Sequence, residues 1–142
     1  MIKSRGGFSL IELVMVISII ALLIMAVGLT SGIRESAKVH SAAESVKALR
    51  TAADSYIASG NMTYSKITIA GLQASGYLPA SFSATGSNPW GGNFAIVPNT
   101  DASKVDISLT GVSTSAATLL SALFANSATA TKYASNTWTV TF

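Results

Sequence analysis

The residue with the clearest potential for chemistry lies near the start of the chain. Glu12 is a carboxylate at the beginning of an apolar run, and residues 13–29 carry no charge. A helix needs about 20 mostly apolar residues to cross a bilayer core. A carboxylate within such a helix costs about 3 kcal/mol unless a partner pairs with it. The sequence therefore predicts an ionic role for Glu12, and a carboxylate solvated at headgroup depth is the alternative.

A short basic leader precedes the apolar run. Residues 1–7 carry Lys3 and Arg5, and positive charge that flanks an apolar segment stays in the cytoplasm. An ordinary cleaved signal peptide has the same layout, with a small-residue site such as residues 26–28 after its apolar part. The length of the run and the presence of Glu12 inside it argue against that alternative.

The segment Lys3-Ser4-Arg5-Gly6-Gly7-Phe8-Ser9-Leu10-Ile11-Glu12-Leu13 resembles the class III signal of type IV pilins and type II secretion pseudopilins. The resemblance implies that a prepilin peptidase cuts between Gly7 and Phe8 on the cytoplasmic side of the membrane. It also implies that the new amine of Phe8 is methylated, and that the apolar helix stays in the mature chain, residues 8–142.

The residues around this predicted cut suit both the cleavage and a later ionic contact. Glycines at positions 6 and 7 let the backbone enter a protease site without side-chain clash. The cut creates an ammonium at Phe8, and Glu12 lies one helical turn further on the same face. A carboxylate near a helix N-terminus also meets the positive end of the helix dipole. In a filament, Glu12 can instead neutralise the ammonium of a neighbouring subunit and so set the docking register.

Hydrophobic spacing divides the chain into four parts. Residues 1–7 are the leader, residues 8–32 a transmembrane or filament-core helix, residues 33–59 its amphipathic continuation, and residues 60–142 a globular head. The continuation has apolar residues at three- and four-residue steps, which is the pattern of a helix with one buried face. That predicted face comprises Ile33, Ala37, Ala42, Val46, Leu49, Ala53, Tyr56 and Ile57.

The head sequence predicts an α+β fold with a small antiparallel β-sheet packed on the long helix. Residues 94–97, 105–109 and 137–142 read as strands, and a helix over residues 113–126 takes Ser113 or Thr114 as its N-cap. A short helix within residues 65–75 precedes Gly76. The turn-rich segment Asn88-Pro89-Trp90-Gly91 resembles a loop of pseudopilins and of some type IV pilins, and Trp90 is expected to plug the edge of the core.

Other signals in the sequence are weaker. Gly28 and Gly32 have the four-residue spacing that lets helices approach closely, although the end of a membrane span explains them equally well. Residues 61–63 match a glycosylation triplet, which often occurs by chance. His40 is the only histidine, and we expect a surface or packing role for it.

Composition argues against several function classes. After the leader, seven basic residues face six acidic ones, so no nucleic-acid surface is indicated. The chain has no cysteine, and no phosphate-binding, zinc-protease or EF-hand motif is present. We therefore expect neither a cofactor nor an enzymatic activity.

The sequence favours a type IV pilin that polymerises through its N-terminal helix into a surface filament for adhesion, motility or DNA uptake. Its expected partners are copies of itself, prepilin peptidase and the inner-membrane assembly machinery. The precursor would reside in the bacterial inner membrane. A type II secretion pseudopilin is the main alternative, because it shares every N-terminal feature, and a single-span anchored binding protein is a weaker one.

Overall fold

The computed structural model of the protein describes residues 9–142, apart from the side chains of residues 28–31. The chain divides into two compact units, Met1–Glu35 and Ser36–Phe142. Helix α1, Leu10–Ala58, runs without interruption through 49 residues. No proline breaks its backbone ladder, because the first proline of the sequence is Pro79.

The second unit contains two further helices and one sheet. Helix α2 spans Ile69–Ala74, and helix α3 spans Thr114–Phe124. The strands are β1 Phe94–Pro98, β2 Val105–Thr110, β3 Ala130–Ala134 and β4 Thr137–Thr141. They pair in the order β1-β2-β4-β3, and every neighbouring pair is antiparallel. The predicted α+β architecture, with a long N-terminal helix and a small antiparallel sheet, is confirmed.

The sheet buries one face because its register aligns apolar residues across the strands. Ile107 lies opposite both Ile96 and Val140, and Leu109 lies opposite Trp138. Cross-strand pairs of this kind stabilise an antiparallel sheet. Strands β2 and β4 alternate between buried and less buried residues, as predicted for the final strand. The buried residues of α1, α3 and the sheet form one hydrophobic core.

The face that α1 contributes to this core differs in part from the predicted one. Ile33 is 69% exposed and Ala37 is also exposed, so the prediction that both are buried is wrong. Helical periodicity identifies an apolar stripe, but burial requires a facing element, and the second unit buries α1 only from Val39 onward. The buried α1 residues are Val39, Ala42, Ala43, Val46, Leu49, Ala52 and Ala53.

Helix α3 closes the core beside the sheet. Ser113, one of the two N-cap residues that the sequence predicts, caps the helix by accepting a hydrogen bond from the amide of Ala116. The Trp138 side chain is completely buried, and its indole N–H donates to the Ser121 hydroxyl at 2.9 Å. The Trp138 ring also packs at 5.7 Å between centroids against Phe124. Ring packing and the hydrogen bond from Trp138 to Ser121 therefore both hold α3 against strand β4.

Arg50 connects α1 to two segments that are distant in sequence. Its Nη1 donates to the carbonyl of Ser127 at 3.1 Å, and its guanidinium carbon lies 4.4 Å from the centre of the Phe142 ring. A partly exposed ion pair with Asp54, at 3.9 Å, adds little to stability. The cation–π contact and the hydrogen bond hold this part of the head on the helix.

A tight loop before β1 depends on one buried amide. Asn88 is 4% exposed, and its Oδ1 accepts hydrogen bonds from the backbone amides of Trp90 and Gly92. Its Nδ2 donates to the carbonyl of Thr110 at 2.7 Å. Trp90 is partly buried and packs against the core, as predicted. Gly92 sits so close to Thr110 that an added Cβ would overlap the Thr110 carbonyl.

We expect Gly92→Ala to lower the free energy of unfolding by about 3 kcal/mol, because a backbone carbonyl cannot rotate away from the added methyl group. Gly91→Ala is the matched control. Gly91 has a positive φ of 78° and open space around a Cβ, so its replacement should cost only about 1 kcal/mol. Urea denaturation of the full chain in detergent, followed by tryptophan fluorescence, measures both. Equal losses would contradict the steric account.

Candidate functional site at the start of helix α1

Glu12 forms a reciprocal capping box with Ser9 at the start of α1. The Ser9 amide donates to Glu12 Oε2 at 3.0 Å, and the Glu12 amide donates to Ser9 Oγ at 3.4 Å. The Leu13 amide donates to the Ser9 carbonyl at 3.2 Å, which begins the helical ladder. These contacts satisfy two of the backbone donors that a helix start leaves open. The sequence contains the signal for this box, Ser-x-x-Glu before an apolar run, although Ser9 was not among the predicted site residues.

The helix that follows Glu12 exposes apolar side chains on every face. The large hydrophobic residues between Leu10 and Val27 are 48% to 82% exposed. The one hydroxyl among them, Ser18, donates to the carbonyl of Val14 at 2.8 Å, so it needs no outside partner. By length and composition, α1 is able to cross a membrane. Exposure on this scale requires a cover of lipid or other apolar helices.

The structure describes only part of the predicted site. Lys3, Arg5, Gly7 and Phe8 lie outside the described residues, so the predicted cut and methylation stay predictions. Glu12 is described, and its described partner is Ser9. The predicted close-approach position Gly32 lies in α1 with open space around a Cβ.

A shallow apolar groove runs beside the start of the head. It has a volume of about 240 Å³ between α1 and α3. His40 borders this groove, in keeping with the packing or surface role predicted for it. Within residues 9–142, no group of three or more acidic or histidine side chains is arranged to hold a metal ion. The groove lining is Ser36, Val39, His40, Leu119, Ala122 and Leu123.

Asn61, in the predicted glycosylation triplet, has a structural role in the head. Its amide nitrogen donates to the carbonyl of Tyr56 at 2.9 Å and to the hydroxyl of Ser59 at 3.3 Å. These bonds satisfy groups at the end of α1. A glycan on this nitrogen would compete with both bonds.

The two acids that follow α1, Asp101 and Asp106, are held by neighbouring side chains of the head. Asp106 accepts hydrogen bonds from Asn99 and from Thr141. The hydroxyl and the amide of Ser103 both donate to Asp101, and Lys104 lies 3.1 Å from it. These bonds, those from Ser103 first, lower the pKa of Asp101 from 3.8 to about 2.

Tyr64 supports the loop that contains Asp101. The Tyr64 amide donates to the carbonyl of Ala102 at 2.9 Å. Partial burial, with a smaller effect of the nearby Asp54 carboxylate, raises the pKa of the Tyr64 hydroxyl above 10. The contacts of Asp101 and of the Tyr64 amide are those of a structural loop.

Comparison with known families identifies a prokaryotic N-terminal methylation motif at residues 2–28. This motif supports a prepilin of the type IV pilin or pseudopilin kind, and it confirms the resemblance inferred from the sequence. Together with the apolar start of α1 it supports an inner-membrane precursor. No significant match to a curated protein or to a solved structure was found.

The lowered pKa of Asp101 predicts a change in its loop at acidic pH. Because the folded-state pKa lies below the ordinary value, the ionised carboxylate stabilises the loop above about pH 4, and this effect disappears as the pH falls towards 2. A carboxyl ¹³C NMR titration should give a midpoint near 2 for Asp101. Ser103→Ala should raise that midpoint more than Lys104→Ala does, and the reverse order would contradict the assignment of causes.

Proposed function

We propose that the chain is a pilin, a structural subunit that is cut by prepilin peptidase and polymerises into a type IV pilus. One observation carries this proposal. The first half of α1 lies within a methylation motif that matches residues 2–28, exposes apolar side chains on all sides, and contains Glu12 as its only carboxylate up to Val27. A helix of this kind suits first lipid and then a bundle of identical helices.

The energetics of the transfer from lipid to filament support this proposal. Lipid tails are as apolar as leucine side chains, so moving the helix into a bundle changes its hydrophobic burial little. Polar contacts between helices therefore weigh heavily in the choice of register. The carboxylate of Glu12 and the ammonium that cleavage creates on Phe8 are complementary in charge. Their pairing between subunits removes two unpaired charges from an apolar environment.

The head has properties that suit a domain on the outer surface of such a filament. Its polar surface is rich in serine and threonine, and the acids Asp101 and Asp106 are hydrogen-bonded to neighbouring side chains of the head. The methylation motif belongs to structural proteins rather than to enzymes. A surface filament therefore accounts for the chain without an active site, and adhesion, motility or DNA uptake would depend on what its outer surface contacts.

A pseudopilin of a type II secretion system is the second candidate. The observation that favours it is the segment Pro89-Trp90-Gly91, which forms the loop built around Asn88. The acids near the C-terminus that bind calcium in one class of pseudopilins have no counterpart among residues 107–142. Electron microscopy of the cell surface separates the two candidates, because a pilin yields long surface filaments at its native expression level.

Replacing Glu12 with Gln or Val should leave membrane insertion intact and reduce filament yield at least a hundredfold. Either change removes the charge that pairs with the ammonium, and loss of one partner of a buried pair costs about 3 kcal/mol or more. Filaments sheared from cells and quantified by immunoblot measure the yield, and membrane fractionation measures insertion.

Glu44→Gln is the matched control for these variants. Glu44 is an exposed carboxylate on the head part of α1, so its neutralisation should leave the yield unchanged. A normal filament yield from the Glu12 variants would overturn the proposal that this carboxylate directs assembly.

A further inference from the structure

The two carboxylate oxygens of Glu12 have different surroundings. Oε2 accepts the hydrogen bond from the Ser9 amide, at 3.0 Å. Oε1 accepts no hydrogen bond from any residue that the structure describes. A carboxylate offers about four acceptor positions, so the residues that the structure describes satisfy Glu12 only in part. The two oxygens differ because the capping box uses only Oε2.

We propose that Ser9 is a positioning residue for assembly. Its capping box fixes the Glu12 carboxylate before docking and leaves Oε1 for one cationic N–H donor of a second copy of the chain. This inference rests on the proposed function, since it concerns how Glu12 recognises its partner. A primary ammonium fits the site, because it is a compact cation with several donors and needs no bidentate fork.

The advantage of a fixed carboxylate is entropic. A free glutamate side chain samples many rotamers, and docking must immobilise it. The capping box imposes much of that order in the unassembled subunit, so assembly loses less side-chain freedom. It also supplies the carboxylate with one hydrogen bond while the helix is still surrounded by lipid, where an unsatisfied acceptor is costly.

The capping box belongs to the part of the chain that the proposed cut retains. Ser9 and Glu12 both follow the predicted cleavage point between Gly7 and Phe8. The amide and hydroxyl of Ser9 are therefore present in the precursor and in the mature subunit. The capping box therefore holds the Glu12 carboxylate for as long as the subunit stays in the membrane.

The first test compares Ser9→Ala, Ser9→Thr and Ser18→Ala in cells. Ser9→Ala removes the hydroxyl that accepts from the Glu12 amide, so the capping box loses one of its two hydrogen bonds, and the filament yield should fall about tenfold. Ser9→Thr retains a hydroxyl and should assemble normally. Ser18→Ala makes the same change on the same helix at a hydroxyl that bonds only Val14, and it should assemble normally. Mass spectrometry of the sheared filaments checks that each variant is cleaved.

The second test measures the capping box without relying on cleavage or filaments. Hydrogen exchange of the Ser9 amide is followed by NMR in the full precursor in detergent micelles, for the wild type and for Glu12→Ala. The exchange should be at least fivefold slower in the wild type, because only there does the carboxylate accept this hydrogen. Glu44→Ala serves as the control and should match the wild type.

The outcomes separate this inference from the proposed function. Equal exchange rates in the wild type and Glu12→Ala, or a wild-type yield from Ser9→Ala, overturn the positioning role of Ser9, even if Glu12→Gln blocks assembly. A wild-type yield from Glu12→Gln overturns the role of Glu12 in assembly, whereas absence of the chain from sheared filaments overturns the proposed function itself. A yield that Ser9→Ala lowers and Ser9→Thr restores, with slowed exchange at the Ser9 amide, supports the inference.

Discussion

The structure depends on one long helix whose N-terminal and C-terminal parts have different surroundings. Along Leu10–Val27, helix α1 exposes apolar side chains on every face, while from Val39 onward it buries a single stripe in the head. The first arrangement requires lipid or other helices, and the second provides a folded domain without them. The same helix therefore carries an exposed apolar segment and a segment that packs into the head.

Two charged residues of α1, Glu12 and Arg50, make defined contacts. Glu12 stands at the start of the exposed apolar segment, where the capping box with Ser9 and the helix dipole both favour a carboxylate. In the head, Arg50 joins α1 to the carbonyl of Ser127 and the ring of Phe142. The contacts of Arg50 secure the folded domain, whereas the capping box engages only one of the two oxygens of the Glu12 carboxylate.

Local patterns allowed much of the fold to be predicted from the sequence. Strict alternation identified β4, and the N-cap Ser113 marked the start of α3. Strand β3 was not predicted, because four of its five residues are exposed and it lacks an alternating pattern. It is defined by pairing with β4 through a turn in which Ser135 and Asn136 both have positive φ. Contacts between distant residues, such as Gly92 against Thr110, leave no local signature. For the candidate site, the pattern of residues 3–13 predicted the motif and Glu12, while the role of Ser9 required the hydrogen bonds of the structure.

The most direct test of the central claim is mass spectrometry of filaments sheared from the cell surface. A pilin predicts an abundant chain that begins at Phe8, with a methylated amine and an intact apolar helix. Absence of the chain from such filaments, or a mature form that begins after the apolar run, would contradict the account.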